Sequence, residues 1–565
     1  MEGKPKTSDK ADAILRRWSR MVSARAPWLP QWQEIAQLMN PRAAGITTSF
    51  FTPNTTNETV LFDTTAGDAL LTMAGGLMSW TMPASSPWFA FDAPRPLAGQ
   101  DRVVAWAQAC SEEMRYLLAN SNFYTEAHED LVNHCGFGTS ALYFNVEDDG
   151  DLCFESLPLG TFCIEEDDDG EVETLFREFE FTAEQAVDCY GYENLPPTIR
   201  ESYDNVEKRG TYYKFIHAVY PRPEHERPDN SIGRMASWGK KFASIHVALA
   251  AREVVKESGF DNFPFACGRY LKWLALNGRT PYGYGPGFAA LPDVRQANFQ
   301  AMMLDCVVEK IVRPPMIADA SMEGDIGLSS GDITWVESNI GQDRWPRPVE
   351  MTGMQGIQAG MERMKFRQDT IRAKFHADLW TMFANLEGIR TATEIRERAA
   401  EKIDAITPAF TRLTTEKQIP MLKALFDMLL SAGRLPQPPP EAVVPVSKFM
   451  GYVPPPEVQF TGRLAMAIKA QSEIAAERVM AELLPIAAAY PEVMAPIDLV
   501  EYGYTRARNA GFPLSCIKDK DQVQQELAAK AQAAAQQQQM AMAEQGAKAV
   551  GHVGGIPAIQ QAMGA

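Results

Sequence analysis

The longest helical pattern in the chain runs from Met354 to Ala432. In its first half, apolar side chains recur in steps of three or four residues that are interrupted at Gln368 and Asp378. These side chains are Ile357, Met361, Met364, Ile371, Phe375 and Met382. So narrow a stripe is typical of a helix that packs along a neighbouring helix. We therefore expect one helix over 354–383, which would be about 45 Å long.

The second half of the pattern begins at Thr391, which together with Glu394 has the spacing of a capping box at a helix start. Apolar side chains continue from there at helical spacing, at Ile395, Ala399, Ile403, Ile406, Phe410 and Leu413. A single domain core does not need two such helices end to end. The pattern by itself nevertheless leaves an ordinary helical domain as an equal alternative.

A partner for this helix lies upstream. Residues from Pro292 to about Val312 carry one apolar face, and Pro314 and Pro315 end the helical pattern. The 313–352 segment is rich in Gly, Asp, Trp and Pro, with a strand-like piece at 333–336. The local topology predicted is therefore helix, small insert, helix.

The rest of the chain alternates between helical and strand patterns. We expect helices at 10–40, 62–78 and 101–133. We expect strands at 88–91, 141–146, 212–220 and 242–247, with hairpin turns at Gly150 and Gly170. A proline-rich, extended connector follows Gly433, helices resume at about 461–484 and 497–509, and an Ala/Gln-rich tail begins near Lys520. The fold class expected is α+β, mainly α.

The composition of the chain argues against some classes of function. The 565 residues carry a formal net charge of −18, from 54 basic and 72 acidic side chains. A protein that grips nucleic acid through its phosphates normally has a basic excess, so tight binding through an extended basic surface is not expected. The eight scattered cysteines are typical of reduced thiols. The first residues lack the apolar region of a secretory signal, and the uncharged run 69–91 contains glycines and prolines, so we expect no membrane span.

Motifs for catalysis and metal binding are missing or broken. The sequence has no phosphate-binding loop of the G-x-x-x-x-G-K-[ST] type. His128-Glu129 has Val132 where a zinc protease needs its second histidine. The acidic turn that ends at Gly170 has Phe176 where a calcium loop needs glutamate. We expect no enzyme activity, no cofactor and no metal.

Ten short segments, in this order and spacing, resemble the portal protein, or head-to-tail connector, of short-tailed bacteriophages. They are Trp32–Ala36, Phe62–Ala66, Met73–Leu77, Trp88–Phe89, Gly136–Tyr143, Leu157–Gly160, Arg177–Phe179, Ala218–Arg222, Ala290–Asp293 and Thr391–Ile395. The resemblance covers most of residues 10–435. One departure is Ile389-Arg390, where the family pattern has Arg-Met.

The resemblance implies a portal fold with wing, helical stem, small α/β clip and helical crown, assembled as a ring of about twelve subunits. Laid on this chain, it gives a wing at 1–290, stem helices at 291–312 and 353–384, a clip at 313–352 and a channel loop at 385–390. A long wing helix, kinked at Pro408 and Pro420, would span 391–433. The connector would be 434–456, the wing return 457–513 and the crown or tail 514–565.

Site residues follow from this assignment. The channel loop would present Asn385, Glu387 and Arg390 to DNA, and the clip would dock partners through Trp335, Arg344 and Trp345. The stem stripe of Ile357, Met361, Met364, Ile371 and Phe375 would pack between subunits, because we expect it to have no partner in its own chain. On this basis Ile371→Asp should leave monomers or irregular aggregates.

The implied function is a channel for packaging and ejecting double-stranded DNA at the capsid portal vertex, in a virion assembled in the host cytoplasm. The implied partners are copies of the chain, the DNA, a separate terminase motor, tail adaptor proteins, and major capsid and scaffolding proteins. Because basic contacts hold DNA, an acidic subunit suits a conduit, and we expect an acidic or neutral bore. A cytosolic helical scaffold without a channel is the alternative, and an unrecognised enzyme comes third.

Overall fold

The computed structural model describes residues 7–43, 45–47, 61–94, 97, 100–147, 150–228, 239–273, 280–314, 316–317, 347–348, 354–384, 406–447, 450–462 and shorter stretches between 479 and 540. The chain divides into two compact units, Met1–Ile468 and Lys469–Ala565. The described residues of the second unit include helical stretches at 479–487 and 525–530. The sheets and the long helices lie in the first unit.

Five helices open the first unit. They are α1 (Thr7–Arg25), α2 (Leu29–Met39), α3 (Thr65–Thr81), α4 (Asp101–Asn120) and α5 (Phe123–Phe137). The three helical regions predicted here are confirmed. A 3₁₀ turn that contains Pro27 separates α1 from α2, and α5 ends at Gly138, whose φ of +73° is the left-handed geometry that glycine adopts readily at a helix end.

Strands assemble into two main antiparallel sheets. The strands of the unit are β1 (Phe89–Asp92), β2 (Thr139–Val146), β3 (Leu152–Ser156), β4 (Phe162–Glu166), β5 (Val172–Thr182), β6 (Tyr212–Pro221), β7 (Phe242–Ala248), β8 (Glu253–Phe260), β9 (Phe265–Arg269), β10 (Leu271–Lys272), β11 (Gly283–Tyr284), β12 (Met316–Ile317), β13 (Arg347–Pro348), β14 (Val444–Ser447), β15 (Met450–Tyr452) and β16 (Glu457–Phe460). The sheet orders are β3-β2-β9 and β4-β5-β6-β7-β8. Both predicted hairpins form, with positive φ at Gly150 and Gly170.

Helices cover the five-stranded sheet. The apolar side of α1, with Ile14 and Trp18, packs in one cluster with Phe176 of β5, Ile216 of β6 and Ile245 of β7. Two short helices, α6 (Ala183–Tyr190) and α7 (Pro197–Asp204), enclose a separate cluster at another part of the sheet. Because both faces of the sheet are covered, strands β6 and β7 contain runs of consecutive buried residues and do not strictly alternate between buried and exposed positions.

Two histidines face each other inside this sheet. His217 of β6 and His246 of β7 are register partners, and their rings stack with centroids 4.1 Å apart. The Tyr190 hydroxyl lies 3.0 Å from Nδ1 of His246. Burial, helped by the nearby positive charges of Lys256 and Arg177, lowers the pKa of His246 to about 3 and holds the pKa of His217 well below its usual value. Both imidazoles are therefore neutral at physiological pH.

A late segment of the chain returns to the early core. Strand β16 pairs with β1, with Phe89 opposite Phe460, and the amide of Thr461 donates to the carbonyl of Trp88 at 2.9 Å. The sequence predicted an extended proline-rich connector before this strand, and that prediction is only partly correct. The connector contains a 3₁₀ turn at Pro440–Ala442 and the β14–β15 hairpin.

The next helix begins earlier than predicted. Helix α8 spans Pro286–Val312, so Pro292 lies inside it rather than at its start. Strand β11 and the first turns of α8 occupy the stretch just before the predicted start. A Cβ at Gly287 would overlap the carbonyl oxygen of Gly136, so glycine here lets the start of α8 approach the end of α5.

The long helix predicted over 354–383 is broken in two. Helix α9 spans Met354–Lys374 and helix α10 spans Ala377–Ala384. The break lies at His376, which adopts a φ of +51°. No glycine or proline marks this position in the sequence. The break is associated with tight packing, because the Trp380 ring of α10 lies where a Cβ on Gly76 of α3 would be.

A second long helix continues from the described residues 406–412. Its middle is a π-helical turn, Leu413–Gln418, and it continues as α11, Ile419–Ser431. The wide turn ends two residues before Pro420, which cannot donate a backbone hydrogen bond. The capping box predicted at Thr391 lies outside the described residues.

Candidate functional site: an anchored helix pair

Helices α8 and α9 pack side by side, and together they are called the helix pair. About a third of the way along α9, a Cβ on Gly360 would come within 3.3 Å of Cδ2 of Leu304 on α8. Such spacing is tighter than most real contacts, so the absent side chain allows the two helices to approach closely. The predicted helix, insert, helix topology is therefore present, with the insert between Val312 and Met354.

One carboxylate links the two helices near the start of α8 and the end of α9, which are together called the base of the pair. Asp293 of α8 forms ion pairs with Arg367 and with Lys374, both on α9, and the Lys374 Nζ lies 2.5 Å from the Asp293 Oδ2. Lys374 also donates to the carbonyl of Ala289 at 2.8 Å. Burial acts to raise the pKa of Asp293, but the hydrogen bonds from Lys374 and Arg367 outweigh it and lower that pKa. The carboxylate stays charged and links the two helices.

A second set of contacts ties the pair to the start of α3. The Asn298 side-chain oxygen on α8 accepts from the amides of Phe62, at 2.7 Å, and Asp63, at 3.2 Å. Gln368 on α9 donates to the Asp63 carboxylate at 3.3 Å. Both helices of the pair are thus held to the same loop at the start of α3.

The predicted apolar stripe of α9 divides along its length. Ile371 and Phe375 are 0% exposed and belong to the main core of the subunit. The expectation that the whole stripe has no partner in its own chain is therefore wrong for these two residues. Ile357 and Met364 are half-buried, and Met361 is 60% exposed. A periodic stripe cannot by itself distinguish the core of the subunit from a neighbouring molecule.

The half of the pair that lies away from the core exposes large apolar side chains, here called the distal apolar surface. On α9, Phe366 is 68% exposed, in addition to Met361. The exposed apolar residues of α8 are Phe299, Met303, Val308, Ile311 and Val312. Scattered apolar residues are normal on a protein surface, but a concentration on two packed helices is typical of an interaction surface.

The remaining predicted site residues lie outside the described part of the chain. These are Asn385, Glu387 and Arg390 of the expected channel loop, and Trp335, Arg344 and Trp345 of the expected clip. The ends of the insert are described: β12 pairs with β13, with Met316 opposite Pro348 and Ile317 opposite Arg347. This pairing closes the base of the insert next to the helix pair.

A buried polar cluster holds the long helix, and the sequence did not reveal it. Lys417 of the π-helical turn forms an ion pair with Asp130 of α5 and donates to the Ser140 hydroxyl of β2 at 2.7 Å. Ser140 in turn donates to the same carboxylate at 3.2 Å. Burial raises the pKa of Asp130, and the Lys417 charge opposes that shift. One signal was available: Lys417 stands four residues from both Leu413 and Met421, inside an apolar stripe.

The neighbouring residue adds a second link. Glu416 accepts from Arg269 of β9 at 2.9 Å and from Arg412 at 2.8 Å. Arg269 also donates to the carbonyl of Gly170 at 2.9 Å and forms an ion pair with Glu166. The π-helical turn is therefore connected by charged groups to both sheets.

Metal-binding clusters and membrane-spanning helices are both absent from the described residues. Among them, no group of three or more His, Cys, Asp or Glu side chains is placed to hold a metal ion. Within the same part of the chain, no helix is long and apolar enough to cross a membrane. His134, next to Cys135 in the sequence, is buried on α5, and burial followed by the Lys417 charge lowers its pKa to about 3.

Comparison with known proteins gives the family. Residues 11–517 match the model of the family described as bacteriophage head to tail connecting protein. The chain is 28% identical to the probable portal protein of Bordetella phage BPP-1, over 97% of this chain and 96% of that protein. It is 24% identical to the portal protein of Salmonella phage epsilon15, over 95% of this chain and 94% of that protein.

One solved structure also resembles the chain weakly. A chain of the virion of native gene transfer agent (GTA) particle covers 73% of this chain with 11% identity and a TM-score of 0.29, too low to support an argument about the fold. The family match extends over most of the sequence, and the resemblance inferred from short motifs is confirmed. The chain belongs to the bacteriophage head-to-tail connecting proteins.

Proposed function

We propose that the chain is the subunit of a portal, a ring that occupies one vertex of the phage capsid and conducts double-stranded DNA during packaging and ejection. The two relatives named as portal proteins match almost the whole chain. This match favours the portal over the alternative of a cytosolic helical scaffold. As a head-to-tail connecting protein, the chain is a component of the phage particle.

The distal apolar surface is the observation that carries the ring proposal. Its side chains lie on both helices of a pair that Asp293 links together and that Asn298 and Gln368 tie to the loop before α3. A second copy of the same chain is the occupant that fits best, because identical subunits can repeat one contact around a closed ring, with one side of each helix pair against a different side of the next. We expect about twelve copies, with the helix pair as the stem.

The ring proposal is tested by placing a charged side chain on this surface. Phe366→Asp should prevent ring formation and leave a folded monomer, because a carboxylate would be desolvated at each subunit contact. Size-exclusion chromatography with light scattering measures the assembly state, and circular dichroism checks the fold. Lys365→Asp, one residue away on the exposed side of α9, is the matched control and should still form rings. Intact rings from Phe366→Asp would refute the stem as the assembly surface.

The rest of the proposal concerns partners. We assign Asn385, Glu387 and Arg390 to a loop that faces the DNA, and Trp335, Arg344 and Trp345 to a clip that docks the terminase motor and later the tail adaptor proteins. Major capsid and scaffolding proteins would contact the wing. Twelve copies of a chain with net charge −18 would carry about −216, which suits a conduit that must not hold its polyanionic cargo.

We further propose that the protein is not an enzyme and that the motor supplies all ATP hydrolysis. Its sequence lacks the phosphate-binding loop of common ATPases. Purified rings should therefore show no ATPase activity until the motor protein is added. Hydrolysis by the rings without the motor, retained through further purification steps, would contradict this assignment.

A further inference from the structure

A small cavity lies beside the π-helical turn. It has a volume of about 10 Å³, close to the lower limit for one water molecule. Its walls are mostly apolar, and include Phe123 and Met421. Three of the lining residues are polar or charged: Asp130, Lys417 and Gln418. Every residue that lines it is buried, so the cavity lies within the core of the first unit.

Two polar atoms of the lining residues have no hydrogen-bond partner among the described residues. They are Oδ1 of Asp130 and Nε2 of Gln418. Asp130 is 2% exposed and Gln418 is 1% exposed, so bulk water does not solvate either side chain. The other carboxylate oxygen of Asp130 accepts from Lys417 and Ser140, and the Gln418 oxygen accepts from Thr414 at 3.3 Å. An acceptor and a donor are thus left over at one cavity.

We propose that one ordered water molecule occupies this cavity. It would donate to Oδ1 of Asp130 and accept from Nε2 of Gln418, which satisfies both atoms at once. A third partner is the Lys417 ammonium group, whose three N–H groups include two already directed at Asp130 and Ser140. Buried water typically makes about three hydrogen bonds, so the site supplies the usual number.

Other occupants fit less well. A cation would face the ammonium group of Lys417 at close range. The small volume excludes an organic ligand, and an empty cavity would leave the Asp130 oxygen and the Gln418 amide buried without hydrogen bonds, which is costly. The water completes the polar link between the long helix and the α5–β2 region. This inference does not depend on the portal proposal.

The test is a map of the purified full-length protein at a resolution that shows ordered water. We expect a separate peak about 3 Å from both Oδ1 of Asp130 and Nε2 of Gln418. An empty cavity, or a direct hydrogen bond between these two side chains, would overturn the proposal. This result requires no variant, so it does not depend on whether a variant folds.

A pair of variants then tests the assignment of the ligands. Gln418→Met removes the amide at similar size, and the peak should disappear or lose most of its occupancy. Thr415→Val changes an exposed polar residue of the same turn and should leave the peak unchanged. A peak that keeps its position and occupancy in Gln418→Met would show that Gln418 does not hold the water.

Discussion

Removal of the Lys417 charge is the sharpest test of the buried polar cluster. In Lys417→Met, the Asp130 carboxylate stays in the core with Ser140 as its remaining donor among the described contacts. Breaking a buried pair on one side costs about 3–5 kcal/mol, because the remaining charge is neither paired nor solvated. We therefore expect a clear loss of stability at neutral pH.

The number of residues in the unit determines how far this loss of stability shifts the thermal midpoint of unfolding. The ion pair lies in the unit Met1–Ile468, and unfolding entropies near 2 cal/mol/K per residue give about 1 °C per kcal/mol for a unit of that length. The thermal midpoint of Lys417→Met should thus fall by roughly 3–5 °C. Differential scanning calorimetry measures the shift, with exposed Lys365→Met as a control that should change the midpoint by less than about 1 °C.

A second substitution separates a lost charge from lost packing. Asp130→Leu combined with Lys417→Met removes both charges, and the double variant should recover most of the midpoint, since an apolar replacement of a buried pair is often nearly neutral. The stability that Lys417→Met loses relative to the wild type should also become smaller as the pH falls. Without Lys417, burial raises the Asp130 pKa further, and the folded state gains a proton that the unfolded state binds only at lower pH. Equal stability of Lys417→Met and the wild type, or no recovery in the double variant, would refute the buried pair.

Two further predictions concern the core. Ile371→Ala should reduce the free energy of unfolding by about 2–5 kcal/mol, while Met361→Ala on the same stripe should change it by less than about 0.5 kcal/mol, as measured by denaturant titration of the subunit. Because the folded pKa values of His217 and His246 lie below the unfolded value of about 6.5, the contribution of these two residues to stability should be complete above that pH. Below that pH the contribution should fall. For His246, whose folded pKa is about 3, the loss is roughly 2–3 kcal/mol at about pH 4.5, and His246→Gln should move the acid midpoint of unfolding to lower pH.

Periodicity located the helices but not their breaks. The apolar stripe predicted one helix across 354–383, yet the chain turns at His376 without a glycine or proline to announce it. The break coincides with a contact that sequence spacing does not encode, the Trp380 ring against Gly76 of α3. A local apolar pattern can therefore predict that a helix forms. It cannot predict whether the helix continues unbroken where packing against distant residues determines the backbone.

The same limit applies to the role of a stripe. Met361 and Ile371 occupy one periodic face, but the first is exposed and the second is in the core of the subunit. The Ile371→Asp variant, designed as a test of ring assembly, should instead destabilise the subunit itself, and Phe366 is the better position for that test. Spacing shows that a face is apolar, and only the three-dimensional structure shows what covers it.

The buried cluster illustrates what a single sequence can signal. Lys417 interrupts an apolar stripe at Leu413 and Met421, which marks it as a lysine that needs a partner. Its partner Asp130 lies 287 positions earlier. No local rule connects residues that far apart, whereas the family motifs around Gly136–Tyr143 identified the neighbourhood without the contact.

The portal proposal is tested most directly by electron microscopy of the purified full-length chain. The account predicts closed rings with a central opening, in which the distal apolar surface around Phe366 of each subunit lies against its neighbour. Monomers at all concentrations, or rings in which the helix pair remains exposed to solvent, would contradict it.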